Sequence, residues 1–125
     1  MAGFKYTKDH ECIYIDGNTA FIGISAHAHD ALGDLVFIEL PEIGKTVSKG
    51  DDIAVVESVK TAAEVYTPVD GEVIAVNAAM ESDFDLVAKP VNEDGWIVKI
   101  SISDNAALHD LMDEAAYEQY LKEID

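Results

Sequence analysis

Short apolar runs alternate with polar, glycine- and proline-bearing breaks along most of the chain. Tyr14-Ile15 and Ala20-Phe21-Ile22-Gly23-Ile24 flank Asp16-Gly17-Asn18, a strong hairpin signal. Val36-Phe37-Ile38-Glu39-Leu40 predicts a strand that Pro41 stops. Ser48-Lys49-Gly50-Asp51 reads as a turn, and Pro68-Val69-Asp70-Gly71 as another that leads into the strand Glu72-Val73-Ile74-Ala75-Val76. Trp96-Ile97-Val98-Lys99-Ile100 predicts the last strand. Pro-x-x-Gly occurs at Pro41 to Gly44 and again at Pro68 to Gly71, a weak internal echo of two strand-turn units. Many short strands at close spacing point to a small β-sandwich or barrel. Two stretches break this rhythm. Ser25 is placed to N-cap a short helix through Leu32, with Gly33 ending it. From Ser103 the period becomes helical: Leu108, Leu111 and Met112 fit it, and Tyr117, Tyr120, Leu121 and Ile124 form one helical face. Ser103 or Asp104 would cap this tail, which is expected over about 104–124 of a single domain spanning 1–125.

Between the predicted turns lies Glu57-Ser58-Val59-Lys60-Thr61. The apolar strand Asp52-Ile53-Ala54-Val55-Val56 precedes it, and Ala62-Ala63-Glu64-Val65-Tyr66-Thr67 follows, closed by Pro68. Two strands joined by a short polar connection form a hairpin, with Lys60 at or beside its tip and its amine in water. A tip lysine is unhindered, which suits an enzyme that must reach a single amine. Taken alone, it is an ordinary solvated surface lysine.

Charge narrows the function. Eight basic residues stand against 25 acidic ones, a net charge of −17, and all eight are lysine. Phosphate repels such a surface, and the usual bidentate base reader, arginine, is missing, so nucleic acid is not an expected ligand. An anionic membrane is disfavoured for the same reason. Docking on partners with basic patches fits, as does simple solubility. Apolar residues at 49% give a globular composition. The single cysteine, Cys12, lies in the strand pattern Cys12-Ile13-Tyr14-Ile15 and reads as a small buried apolar group. No internal disulfide is possible, and a reducing compartment is expected. Met1-Ala2-Gly3-Phe4-Lys5 does not resemble a signal peptide, so the expected location is the cytoplasm of a bacterium, or the mitochondrial matrix for a mature eukaryotic form. His27 and His29, two apart, fall on different faces of their helix, and no metal site is expected.

With these residues in place, the chain resembles the H proteins of the glycine cleavage system from Lys5 to the C-terminal helix. The resemblance rests on Tyr6-Thr7-Lys8-Asp9-His10-Glu11, on Ala31-Leu32-Gly33-Asp34-Leu35-Val36-Phe37-Ile38-Glu39-Leu40-Pro41, and on Val55-Val56-Glu57-Ser58-Val59-Lys60. Pro68-Val69-Asp70-Gly71-Glu72-Val73, Asn92-Glu93-Asp94-Gly95-Trp96 and the Tyr117 helix also match. It implies a mainly β fold, the lipoyl/biotinyl-type hybrid β-sandwich (barrel-sandwich hybrid), with short helices and a C-terminal helix. It implies lipoic acid in amide linkage to Lys60, and a carrier without catalytic residues of its own. The implied partners are a pyridoxal-phosphate glycine decarboxylase, a tetrahydrofolate-dependent aminomethyltransferase, a flavin dihydrolipoyl dehydrogenase that uses NAD, and a lipoate ligase or lipoyltransferase. Carried over by position, the cleft that shelters the loaded amine would be formed by Asp9, Glu11 and Glu64, whose carboxylates suit a cationic amine. Two departures stand out. Cys12 occupies a position where the family usually has Trp, and the stretch Val91-Asn92-Glu93-Asp94-Gly95-Trp96 is shorter than usual.

Other functions fit less well. A glycosidase would use paired carboxylates, but 25 acids in a small chain produce close pairs by chance. Ser58 beside Lys60 is no recognised nucleophile motif. A biotin carrier would place Met on both sides of the lysine, where this chain has Val59 and Thr61. A relay that passes lipoyl or octanoyl groups to 2-oxoacid dehydrogenase carriers uses the same lysine and remains an alternative.

Overall fold

A computed structural model describes residues 4–102 and 111–124. Among the described residues nine strands carry the architecture: β1 (Phe4–Tyr6), β2 (Glu11–Asp16), β3 (Thr19–Ile24), β4 (Leu35–Glu39), β5 (Thr46–Val47), β6 (Asp52–Ser58), β7 (Ala62–Tyr66), β8 (Gly71–Val76) and β9 (Val98–Ser101). They form a six-stranded sheet in the order β1-β2-β3-β9-β8-β5 and a three-stranded sheet in the order β4-β6-β7. Every ladder is antiparallel. Helix α1 (Ala26–Leu32) bridges from β3 to β4, and α2 (Glu114–Ile124) closes the chain. The chain is therefore mainly β, with two antiparallel sheets, short helices and a C-terminal helix.

Alternation builds the core. On β6, Ala54, Val56 and Ser58 are buried while Val55 and Glu57 are half-buried. Ile13, Ile22, Val73 and Ile100 from the large sheet meet Ile38, Val56 and Val65 from the small one in a single apolar cluster. Full burial of each such side chain contributes roughly 1.5–3 kcal/mol of transfer free energy. Two 3-10 segments, Ala78–Glu81 and Phe84–Ala88, cap one end of this core with Met80 and Val87. The two Pro-x-x-Gly turns differ in physical role. Gly71 passes so close to the Ser101 carbonyl that a side chain there would collide with β9, whereas Gly44 is needed for its left-handed φ of 95°.

Two predicted boundaries shift. Trp96 and Ile97 precede β9, although the Ile97 amide still donates to the Ile22 carbonyl at 2.7 Å. Leu111 and Met112 are not helical: Met112 exchanges backbone hydrogen bonds of 2.8 and 2.9 Å with Tyr6 in a strand-like bridge. Helical periodicity therefore overextended the tail, because an apolar pair at spacing one also suits a bridge against β1. Ser103, Asp104 and Leu108 lie outside the described residues. Within α2, Tyr117 is buried, Tyr120 and Leu121 are half-buried and Ile124 is exposed.

Candidate functional site: a lysine tip beside a carboxylate cleft

The tip is built by Ser58. Its amide donates to the Thr61 carbonyl at 2.7 Å, which leaves Val59 and Lys60 as a two-residue turn between β6 and β7. Tight hairpin turns usually need a positive φ, yet neither residue has one. The Ser58 hydroxyl supplies what is missing. Its Oγ accepts from the Lys60 amide at 3.1 Å and the Thr61 amide at 3.2 Å, and donates to the Thr61 carbonyl at 3.2 Å. The Val59 amide donates to the Asp34 carbonyl at 3.1 Å, tying the tip to the loop after α1. Lys60 is exposed. Its aliphatic stem crosses Gly33, where an added Cβ would lie 3.5 Å from Cε and 3.8 Å from Nζ. With φ at 81°, Gly33 also has a backbone conformation that side chains resist.

Beside the tip lies a cleft of about 190 Å³ whose lining includes Asp9, His10, Glu11, Leu32, Val56, Ala63 and Glu64. The three carboxylates that the resemblance nominated thus meet at one opening, but they occupy different settings. Asp9 and Glu64 are exposed. Alternation on β7 turns Glu64 away from the face that carries Ala63 and Val65, so it forms the rim. Glu11 is only 2% exposed. Its Oε1 accepts from the Thr7 hydroxyl at 2.7 Å and its Oε2 from the Tyr66 amide at 3.1 Å, so it ties the β1–β2 loop to β7. Burial pushes the Glu11 carboxyl above its ordinary value against the pull of those two hydrogen bonds. The Tyr66 hydroxyl is raised by the Glu64 carboxylate first, then by burial, Asp9, Asp52 and Glu11, so these acids share one electrostatic neighbourhood.

Sequence reasoning missed His10. Its φ is 71°, the one non-glycine residue with a positive φ among the described residues. Its Nδ1 is 2.8 Å from the Tyr117 hydroxyl, which also shares a 2.7 Å hydrogen bond with Ser25 Oγ. The His27 ring packs against it at a tilt of 43°, with centroids 4.6 Å apart. Burial lowers the His10 pKa, His27 lowers it further, and Asp9 opposes them. Helix α2 is thereby fastened to the cleft wall. His27 thus packs against the cleft wall through His10. Cys12 is buried, and burial pushes its thiol up to about 11, which leaves it unreactive. Among the described residues no group of His, Cys, Asp or Glu is arranged to hold a metal ion.

A two-sheet sandwich whose small sheet projects one lysine on a two-residue tip, beside an acidic cleft, defines a carrier domain of the lipoyl-bearing class. Comparison with known proteins makes this specific. The family model for the glycine cleavage H-protein matches residues 4–124, and the chain belongs to that family. It is 49% identical to the glycine cleavage system H protein of Xanthobacter autotrophicus over 121 residues, 97% of each chain. It is 44% identical to that of Thermotoga maritima over 116 residues, covering 93% of this chain and 94% of the relative. The crystal structure of the H protein from Mycobacterium marinum superposes with a TM-score of 0.81 at 32% identity, covering 98% of both chains. The protein is a lipoyl carrier component of the glycine cleavage system and not itself a catalyst.

Proposed function

We propose that Lys60 carries lipoic acid as an amide and that the chain shuttles the glycine-derived aminomethyl group between the enzymes of the system. The observation that carries this reading is the Ser58-built tip, which holds one unhindered amine outside the core. When attached, lipoic acid supplies a dithiol that holds the aminomethyl group in transit and is afterwards reoxidised. The chain's own residues do the rest. Gly33, whose φ of 81° favours glycine, turns the chain beneath the stem of Lys60. Asp9, Glu11 and Glu64 offer negative charge to an amine cation, and Leu32, Val56 and Ala63 limit water at the cleft. The partners are the pyridoxal-phosphate decarboxylase, the tetrahydrofolate-dependent aminomethyltransferase, dihydrolipoyl dehydrogenase, and the ligase or transferase that acylates Lys60. Relatives from bacteria support a cytoplasmic location, and among the described residues no helix is long and apolar enough to cross a membrane.

Incubation with lipoate, ATP and a lipoate ligase, followed by peptide mapping, tests the attachment. The mass increment is expected on Lys60 alone. A label on Lys45 or Lys49 instead would contradict the assignment. For the cleft, Glu64→Gln should speed release of formaldehyde and ammonia from the purified loaded protein, while lipoylation stays unchanged. Equal release from wild type, Glu64→Gln and Glu11→Gln would remove the cleft from the mechanism.

A further inference from the structure

The surface around the Lys60 tip is apolar where strand logic expects polar groups. β4 is an edge strand, and its register against β6 slips between Leu35 and Phe37, with Leu35 opposite Ser58 and Phe37 opposite Glu57. This bulge breaks the alternation, so consecutive residues Val36 and Phe37 are both exposed, at 51% and 49%. Val59, on the tip itself, is 70% exposed. These side chains lie within one or two ladder positions of Lys60.

An acidic groove adjoins them. It encloses about 580 Å³, and its lining holds Asp30, Asp34, Asp83 and Asp85 but no lysine. Gly33, over which the Lys60 stem lies, belongs to the same wall. A second copy of this chain is a poor occupant, because it brings another −17 of charge. The complement is a partner with an apolar contact ringed by lysine or arginine.

We infer that the exposed apolar residues Val36, Phe37 and Val59, with the aspartate groove beside them, are the docking surface for the enzyme that acylates Lys60. The inference rests on the proposed attachment at Lys60. Chemistry selects this partner among those that must visit the protein. Acylation forms a bond from Nζ to the carbonyl carbon of an activated acyl donor, an adenylate or thioester. The acyl C–O or C–S bond breaks, AMP or the thiol departs, and the nitrogen loses a proton. The enzyme must therefore bring its active site over the tip. Enzymes that act on the far end of a finished arm work at a distance from the tip and need not cover these residues.

The experiment measures kcat/KM for acylation by a purified lipoate ligase with lipoate and ATP. A parallel assay follows reoxidation of the finished, reduced protein by dihydrolipoyl dehydrogenase. Val59→Ser lies on an exposed turn and leaves both strands intact, so it remains informative if Phe37→Ser fails to fold. Val59→Ser and Phe37→Ser are each expected to lower acylation kcat/KM by roughly tenfold. The triple variant Asp30→Asn, Asp34→Asn, Asp85→Asn is expected to lower it several-fold and to flatten its salt dependence. Asp83 is left intact because it caps the Phe84–Ala88 segment. Ile43→Ser, at another exposed apolar residue on the turn bonded to β8, should leave acylation unchanged. Reoxidation should stay within about twofold throughout, since neutralising three of 25 acids leaves most of the long-range field that steers the dehydrogenase in place. Unchanged acylation in Val59→Ser and the triple variant, an equal loss in Ile43→Ser, or an equal loss in reoxidation would each overturn the inference while leaving the Lys60 reading intact. A wild-type chain that takes no label on Lys60 would remove both.

Discussion

At the residue scale, the carrier depends on a few polar side chains that are buried because they build backbone. Ser58 is the clearest. Its hydroxyl holds two amides that no carbonyl reaches, so Ser58→Ala should cost about 1–3 kcal/mol and loosen the presentation of Lys60. Urea unfolding and acylation kinetics should both report it. Stability and acylation indistinguishable from wild type would show that water replaces the hydroxyl. Glu11 behaves similarly. Glu11→Ala leaves the Thr7 hydroxyl and the Tyr66 amide without their acceptor and should cost about 1–3 kcal/mol for each group left unpaired. Glu11→Gln keeps an oxygen for Tyr66 and an amide that can donate to Thr7, so it should be much milder. Equal loss in the two variants would mean that charge, not hydrogen-bond geometry, is what the site requires. The residue type at the tip was legible because Lys60 sits between two apolar strands in a recognisable run. The contribution of Ser58 was not, since a serine two residues before a tip carries no periodic signal. The positive φ of His10 was equally hidden, because histidine gives no hint of it.

At the element scale, helix α2 is held by Tyr117. The Tyr117 ring stacks on Tyr6 at 4.3 Å, while its hydroxyl meets both His10 and Ser25. Tyr117→Phe keeps the stack and removes the hydroxyl, with an expected loss of about 1–3 kcal/mol in urea unfolding and no change in the slope. A loss below about 0.5 kcal/mol would show that the network is replaceable. The same cluster sets a pH response. The His10 pKa is lowered in the folded state, so its stabilising effect is present above the ordinary value of 6.5 and is lost as pH falls. Glu11 acts in the opposite sense: its raised pKa favours the folded state below the ordinary value of 4.5 and is lost as pH rises through the raised value. Comparison of wild type with His10→Asn between about pH 7.5 and about pH 5.5 isolates the histidine part of this response. The melting temperature of wild type should lose more, or gain less, than that of His10→Asn as pH falls over that interval. Parallel curves would place the titration elsewhere. Strands with clear alternation, such as β3 and β6, were readable. The two 3-10 segments were missed because Ala78-Ala79-Met80-Glu81 and Phe84-Asp85-Leu86-Val87-Ala88 are too short to show a period. Leu111 and Met112 were misread because tertiary pairing with β1 overrides local helical spacing.

At the scale of the whole molecule, a net charge of −17 and the absence of arginine make the protein a strongly acidic body that enzymes must approach. Screening shortens to about 10 Å at 0.1 M salt and about 3 Å at 1 M. Affinity for the glycine decarboxylase should fall over this range, mostly through the on-rate, and surface plasmon resonance at several salt concentrations would measure it. A flat response would assign the acidic surface to solubility alone. The sandwich itself follows from many short strands with buried faces, and the family was legible in the runs around Gly33 and Lys60. The cleft was nominated by resemblance, since convergence of Asp9, Glu11 and Glu64 depends on three separate loops and strands. The most direct test of the carrier account is glycine-dependent NADH formation in a reconstituted system. It would contain the decarboxylase, the aminomethyltransferase with tetrahydrofolate, and dihydrolipoyl dehydrogenase with NAD. Lipoylated wild type should support turnover, and Lys60→Arg, folded but unable to form the amide, should support none. Turnover undiminished by Lys60→Arg, or none with fully lipoylated wild type, would contradict the account.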